Sequence, residues 1–181
     1  RRISRRMEVS RPQLLMGFKD PAQALRGPEM LDRRIAAGLC LALLFDVSAS
    51  LHQSLYRTGL IDEDFSSGYL AERGFAYAAV GGQTRDPKRL ERLILDGIAR
   101  ARFRPEDLAR AKRKALGHWI RMLDAPQALA SAALSSHFQG IRLEDYPERL
   151  GACGLAEVEA LRRRLLQPGR LAVSVLRPKA R

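Results

Sequence analysis

Ile35-Ala-Ala-Gly-Leu-Cys-Leu-Ala-Leu-Leu-Phe45 decides the fold. Wound as a helix, this run is apolar on nearly every side, so it belongs at the centre of a core rather than on a surface. Pro28-Glu29 suits a first turn, where proline has no N–H to leave unpaired, and predicts a helix from about residue 28 to residue 45. The run is far shorter than the roughly 20 apolar residues a bilayer span needs. It is therefore read as buried in protein, and no membrane partner is expected. With 181 residues, 46% of them apolar, the chain fits one domain around a continuous core.

Working outward, Glu8-Val-Ser-Arg-Pro-Gln-Leu-Leu-Met-Gly-Phe-Lys19 predicts a strand that ends at an Asp20-Pro21 turn. Downstream, Ser48 and Ser50 read as caps of a short helix over residues 51–57, stopped by Gly59. Residues 65–71 and 75–81 predict two strands joined through Glu72-Arg73-Gly74. In the second strand Phe75, Tyr77 and Ala79 alternate with Ala76, Ala78 and Val80. Both faces are fairly apolar, as in a sheet covered by helices on one side and partly covered on the other. From Asp86-Pro87 onward the pattern is helical. Leu90, Leu93, Ile94 and Ile98 share one face, and Leu108, Ala111, Ala115, Trp119 and Leu123 form the inner stripe of the next helix. Further helices are predicted at 126–138, 145–150 and 155–166, before a closing strand with alternating Leu171, Val173 and Val175. The order β-α-α-β-β-α-α-α-α-β contains no βαβ repeat. It predicts an α+β fold, with helices packed on one antiparallel or mixed sheet. The expected organisation is a basic tail or linker remnant at 1–7, one domain at 8–177 and a C-terminal tail at 178–181.

Charge points first to an acidic partner: the formal net charge is +12. Only five of the 32 basic residues are lysine, however, and they are spread along the chain. That bias fits a GC-rich genome at least as well as it fits phosphate contacts. Arg110-Ala-Lys-Arg-Lys114, the best basic patch, reads as a solvated helix face opposite the Leu108–Trp119 stripe. A nucleic-acid-binding domain is thus the least favoured of three readings, and no module for it is recognisable.

Residues that carry chemistry are sparse. His52, His118 and His137 lie too far apart for His-Glu-x-x-His or its inverse, and no metal site is expected in this chain. Cys40 sits in the apolar run, where burial raises a thiol pKa, the wrong direction for a nucleophile. Cys40 and Cys153 form no CxxC pair, so no disulfide framework is expected and a reducing cytoplasm is the default compartment. Gly81-Gly82-Gln-Thr-Arg-Asp86 reads as a strand-to-helix turn, with Asp86 where a phosphate would otherwise sit. Asp62-Glu63-Asp64 reads as a solvated loop. No catalytic residue is assigned.

Three stretches in order carry a family resemblance. Phe45-Asp-Val-Ser-Ala-Ser-Leu-His-Gln-Ser-Leu-Tyr-Arg-Thr-Gly-Leu-Ile-Asp62 comes first. Glu72-Arg-Gly-Phe-Ala-Tyr-Ala-Ala-Val-Gly-Gly-Gln-Thr-Arg-Asp-Pro87 and Phe103-Arg-Pro-Glu-Asp-Leu-Ala-Arg-Ala-Lys-Arg-Lys-Ala-Leu-Gly117 follow. Together they resemble the second, non-zinc domain of pitrilysin-type (insulinase-like) metallopeptidases, with the bacterial processing-protease-like subunits as the nearest branch. The resemblance implies a domain that closes a chamber around a peptide while zinc, bound by His-x-x-Glu-His, sits in a first domain or paired subunit. It implies Tyr56, Arg57 and Phe65 as substrate-binding residues. It leaves open whether the complete protein hydrolyses peptides or is a non-catalytic assembly or binding subunit of the same fold.

Overall fold

The apolar run at 35–45 lies in a helix, Gly27–Phe45 (α1), and eleven of that helix's 19 residues are buried. The computed structural model describes residues 1–21, 25–72 and 74–179. Around α1 the chain forms strands β1 (Arg2–Met7), β2 (Gln13–Lys19), β3 (Ser66–Ala71), β4 (Ala76–Gln83) and β5 (Leu171–Pro178). The other helices are α2 (Ser50–Arg57), α3 (Pro87–Arg100), α4 (Pro105–Leu123), α5 (Pro126–Gln139), α6 (Tyr146–Ala152) and α7 (Leu155–Leu165). Arg73, in the expected turn between β3 and β4, and residues 180–181 of the expected C-terminal tail lie outside the described residues.

One five-stranded sheet runs in the order β1-β5-β2-β4-β3, parallel between β1 and β5 and antiparallel elsewhere. Period-two alternation places Leu14, Met16 and Phe18 of β2, Ala76, Ala78 and Val80 of β4, and Val173 and Val175 of β5 in the core under the helices. On the opposite face Leu15, Leu70, Phe75 and Tyr77 are exposed, and the Phe75 and Tyr77 rings stack. This is the expected α+β architecture, helices on one mixed sheet.

Several local expectations are corrected. Residues 1–7, read as a tail, contain β1, which pairs in register with β5 from Arg2↔Val173 to Met7↔Pro178. All six of its side chains are exposed, so it carries no buried alternation and gave no strand signal. Ser48 and Ser50 cap nothing: the residue before α2 is Ala49, and no side chain caps that helix. Asp46 instead accepts from the Val47 N–H (2.8 Å) and fixes the corner after α1. Gly59 does end α2, at φ +63. Its N–H bonds Tyr56 O and the Leu60 N–H reaches back to Leu55 O, as in a Schellman end. Gly81 and Gly82 belong to β4 rather than to the turn, which begins at Thr84; Asp86 caps α3 by accepting from the Arg89 N–H. Leu123, assigned to the inner stripe of α4, is 39% exposed because Met122 takes the inward position at that end of the helix.

A buried polar cluster ties β2, α1 and β3 together. Asp20, directly after β2 and 0% exposed, accepts from Arg33 Nε (2.8 Å) and Nη2 (2.6 Å) of α1 and from the Tyr69 hydroxyl (2.7 Å) of β3. Burial and the Asp20 carboxylate together push the Tyr69 phenol well above its ordinary pKa, so it stays a donor. At the other end of the helical layer, Gly140 (φ +70) closes α5 against Gly27 (φ +54) at the start of α1. A Cβ added at Gly27 would lie 3.0 Å from Gly140 O. Ser136 is the one buried residue of α5.

Candidate functional site: a cleft along a free strand edge

Because β3 is last in the sheet order, one of its edges meets no neighbouring strand among the described residues. Which backbone groups face that way follows from the ladder. The Glu72 N–H bonds Phe75 O (2.8 Å), and bonded and non-bonded pairs alternate in antiparallel pairing. Bonded pairs therefore fall at 70/77, 68/79 and 66/81. Ser67, Tyr69 and Ala71 turn their N–H and C=O groups outward. Ala71 O is met on that side by Arg34 of α1, whose Nη2 donates to it at 2.6 Å.

Alongside this edge runs a cleft of about 760 Å³. Helix α1 is its floor, contributing Ile35, Gly38, Leu39 and Phe45; α4 is its roof, contributing Trp119 and Met122. The cleft exists because the inner stripe of α4 is covered only at its start: Leu108 is buried, whereas Ala111, Ala115 and Trp119 are half-buried. Trp119 stacks on Tyr146, yet its Nε1 is buried without a hydrogen-bond partner among the described residues. At the mouth, Lys114 of α4 grips Asp46 (2.6 and 2.7 Å). Burial pushes the Asp46 carboxyl up, but Lys114 and the Val47 amide outweigh it and hold the group below the usual carboxylate range.

Gly38 is the informative residue of the floor. It lies inside a helix, is exposed to the cleft, and an added Cβ would meet nothing within 4 Å. Gly38→Ala is expected to raise stability by roughly 0.5–1 kcal/mol, the helix-propensity gain, read as a higher thermal midpoint. A lower midpoint would mean that the floor is not open there.

A second concavity, of about 580 Å³, adjoins the first through His52, Phe65 and Val47, and Tyr56 and Arg57 line it. The three residues implied as substrate contacts thus border one hollow, in different states. Tyr56 is exposed and stacked on His52. Arg57 folds back with its Nε on Gln53 O. Phe65 is a core ring, edge-on to Phe45 at 6.2 Å. Sequence reading missed Arg34, Gly38 and Trp119. Only Gly38, a lone glycine inside an apolar helix, carried a signal.

The thiol of α1 is held protonated. Cys40 is buried in α1 with its thiol pushed up to about 12, chiefly by burial. The residues present do not fit a zinc ion either. His52 is packed against Phe65, His118 accepts from Arg121 through Nδ1 (2.8 Å), and His137 lies on α5. Among the described residues no three His, Cys, Asp or Glu side chains gather closely enough to hold a metal.

No protein-family model matches the chain. Over 177 residues it is 31% identical to the zinc protease YmfH of Bacillus subtilis (strain 168), an alignment covering 97% of this chain and 41% of that protein. The crystal structure of an M16-like peptidase from Alicyclobacillus acidocaldarius superposes with a TM-score of 0.92 at 28% identity, over 98% of this chain and 43% of the other. In sequence and in fold the chain is similar to the pitrilysin-type, or M16-like, zinc proteases. It spans about two-fifths of the length of both relatives. The fold is also that of the inactive peptidase domain of a zinc protease from Bordetella parapertussis, at a TM-score of 0.80, 18% identity and 97% and 95% coverage.

Proposed function

We propose that this chain is the second, non-zinc domain of a pitrilysin-type metallopeptidase, and that it forms chamber wall and grips an extended peptide without cleaving it. The observation that carries this reading is the free edge of β3 beside the apolar cleft. Outward N–H and C=O groups two residues apart are what an extended chain needs to add as a strand, and an adjacent hollow takes its alternate side chains. Zinc is assigned to a first domain or paired subunit, and Tyr56, Arg57 and Phe65 to a secondary contact surface for the same peptide.

The test is hydrolysis of an internally quenched fluorescent peptide by the purified chain, by a zinc-bearing pitrilysin-type half from the same cells, and by both together. Cleavage is expected only with both present, and loss of it on chelation. Hydrolysis by the metal-stripped chain alone would overturn the reading. Peptide binding with no cleavage in any combination would instead favour a non-catalytic binding subunit.

A further inference from the structure

We infer that Arg34 is an anion anchor, so that the cleft selects extended peptides carrying a carboxylate at the Ala71 end of the β3 edge. The anchor presupposes the peptide-binding reading above and adds the chemical class of the peptide.

Successive arginines of α1 are used in opposite ways. Arg33 points into the core and is saturated by both oxygens of Asp20. Arg34 is half-buried, lines the cleft, and uses one Nη2 on Ala71 O; no described carboxylate forms an ion pair with it. A guanidinium has five donors in a planar fork suited to two carboxylate oxygens. Asp32, the nearest acid along the chain, is taken by Arg149, and Glu72, next to Ala71, receives the Gln139 amide.

The surroundings leave no unpaired acid to compete for Arg34. The other ionisable side chains lining the cleft besides Tyr69 and Tyr146 are Lys114, His52, His118 and Asp46, and Asp46 is taken by Lys114. Anything entering from solvent meets uncompensated positive charge at Arg34. Position then fixes the geometry. The guanidinium already sits where the N–H of an added strand would meet Ala71 O, so it marks the end of the usable edge. An added strand pairs with Ser67 and Tyr69 and terminates there. Its last carboxylate, from an acidic side chain or from the chain's own C-terminus, falls beside the remaining Arg34 donors.

The experiment measures fluorescence anisotropy of the whole chain with labelled hexapeptides that alternate threonine with phenylalanine or leucine and end in glutamate. One probe carries all groups. A second has glutamine for glutamate, a third a C-terminal amide, and a fourth N-methyl groups on alternate residues, which remove the N–H donors a strand needs. The complete probe is expected to bind about tenfold more tightly than whichever of the second and third lacks the carboxylate that reaches Arg34. Comparing those two identifies its source. In Arg34→Gln all three should bind alike, with unchanged thermal unfolding, and Arg34→Lys should restore part of the preference. Binding abolished by N-methylation but indifferent to both carboxylates would overturn the anchor and leave the strand-addition reading standing. An acid preference that survives in Arg34→Gln would overturn the anchor as well. Absence of binding, or binding indifferent to N-methylation, would overturn both.

Discussion

Gly81→Ala is expected to cost about 4 kcal/mol or more, the range reached only by a named steric or polar defect, and to lower the thermal midpoint by roughly 10 °C or more. A Cβ at this position would lie 2.0 Å from Leu14 O and 2.9 Å from Leu15 Cα. Both are backbone atoms of β2, the middle strand of the sheet, which is held by β4 on one side and β5 on the other. No rotamer relieves such a contact. The strands must part, and the ladder on which the β3 hairpin hangs parts with them. Gly17→Ala is the internal control: it changes the same residue type in the same sheet, and its Cβ would meet nothing within 4 Å. Equal losses at the two positions, read by urea unfolding, would refute the close approach at Gly81.

The second large effect is expected at Asp20. Asp20→Ala should destabilise the chain by about 3–5 kcal/mol, the usual consequence of removing one partner from a buried ion pair. Arg33 is only 12% exposed and would keep its charge with no carboxylate beside it, while the Tyr69 hydroxyl would lose its acceptor. The defect lies between α1 and β3, so the cleft should suffer with the fold. The joint replacement Asp20→Leu with Arg33→Met should recover part of the loss, because an apolar pair needs no solvation while the Tyr69 hydroxyl still lacks its acceptor. If the double variant in urea unfolding is no better than Asp20→Ala, the pair is not the source of the stability.

Much of the architecture was legible because it rests on burial. The run at 35–45 could only be a core helix, and Met16, Phe18, Val80, Val173 and Val175 alternate as the inner face of a sheet must. Elements that bury nothing left no such trace. β1 is held by backbone pairing to β5, and Arg2, Arg5 and Arg6 describe its solvated sides rather than its partner. The serines at 48 and 50 suggested caps because their hydroxyls compete for backbone donors, yet Asp46 took the local N–H. The cleft was legible only in part. Tyr56, Arg57 and Phe65 entered through resemblance, whereas the β3 edge depends on strand order, which no local pattern encodes. Arg33 and Arg34 are identical as letters. Helix phase alone sends one into the core and the other to the groove.

The way α5 is attached sets how the molecule can yield. With Ser136 its one buried residue and its C-terminal end lodged between Gly140 and Gly27, this helix shares little apolar surface with the sheet. Regions of that kind open locally at a small fraction of the global unfolding free energy. Helix α5 can therefore loosen while the strands stay closed. Under the proposed peptide-binding role, a bulky guest side chain would strain that helix rather than the whole domain, and affinity could be tuned almost independently of how firmly the protein folds.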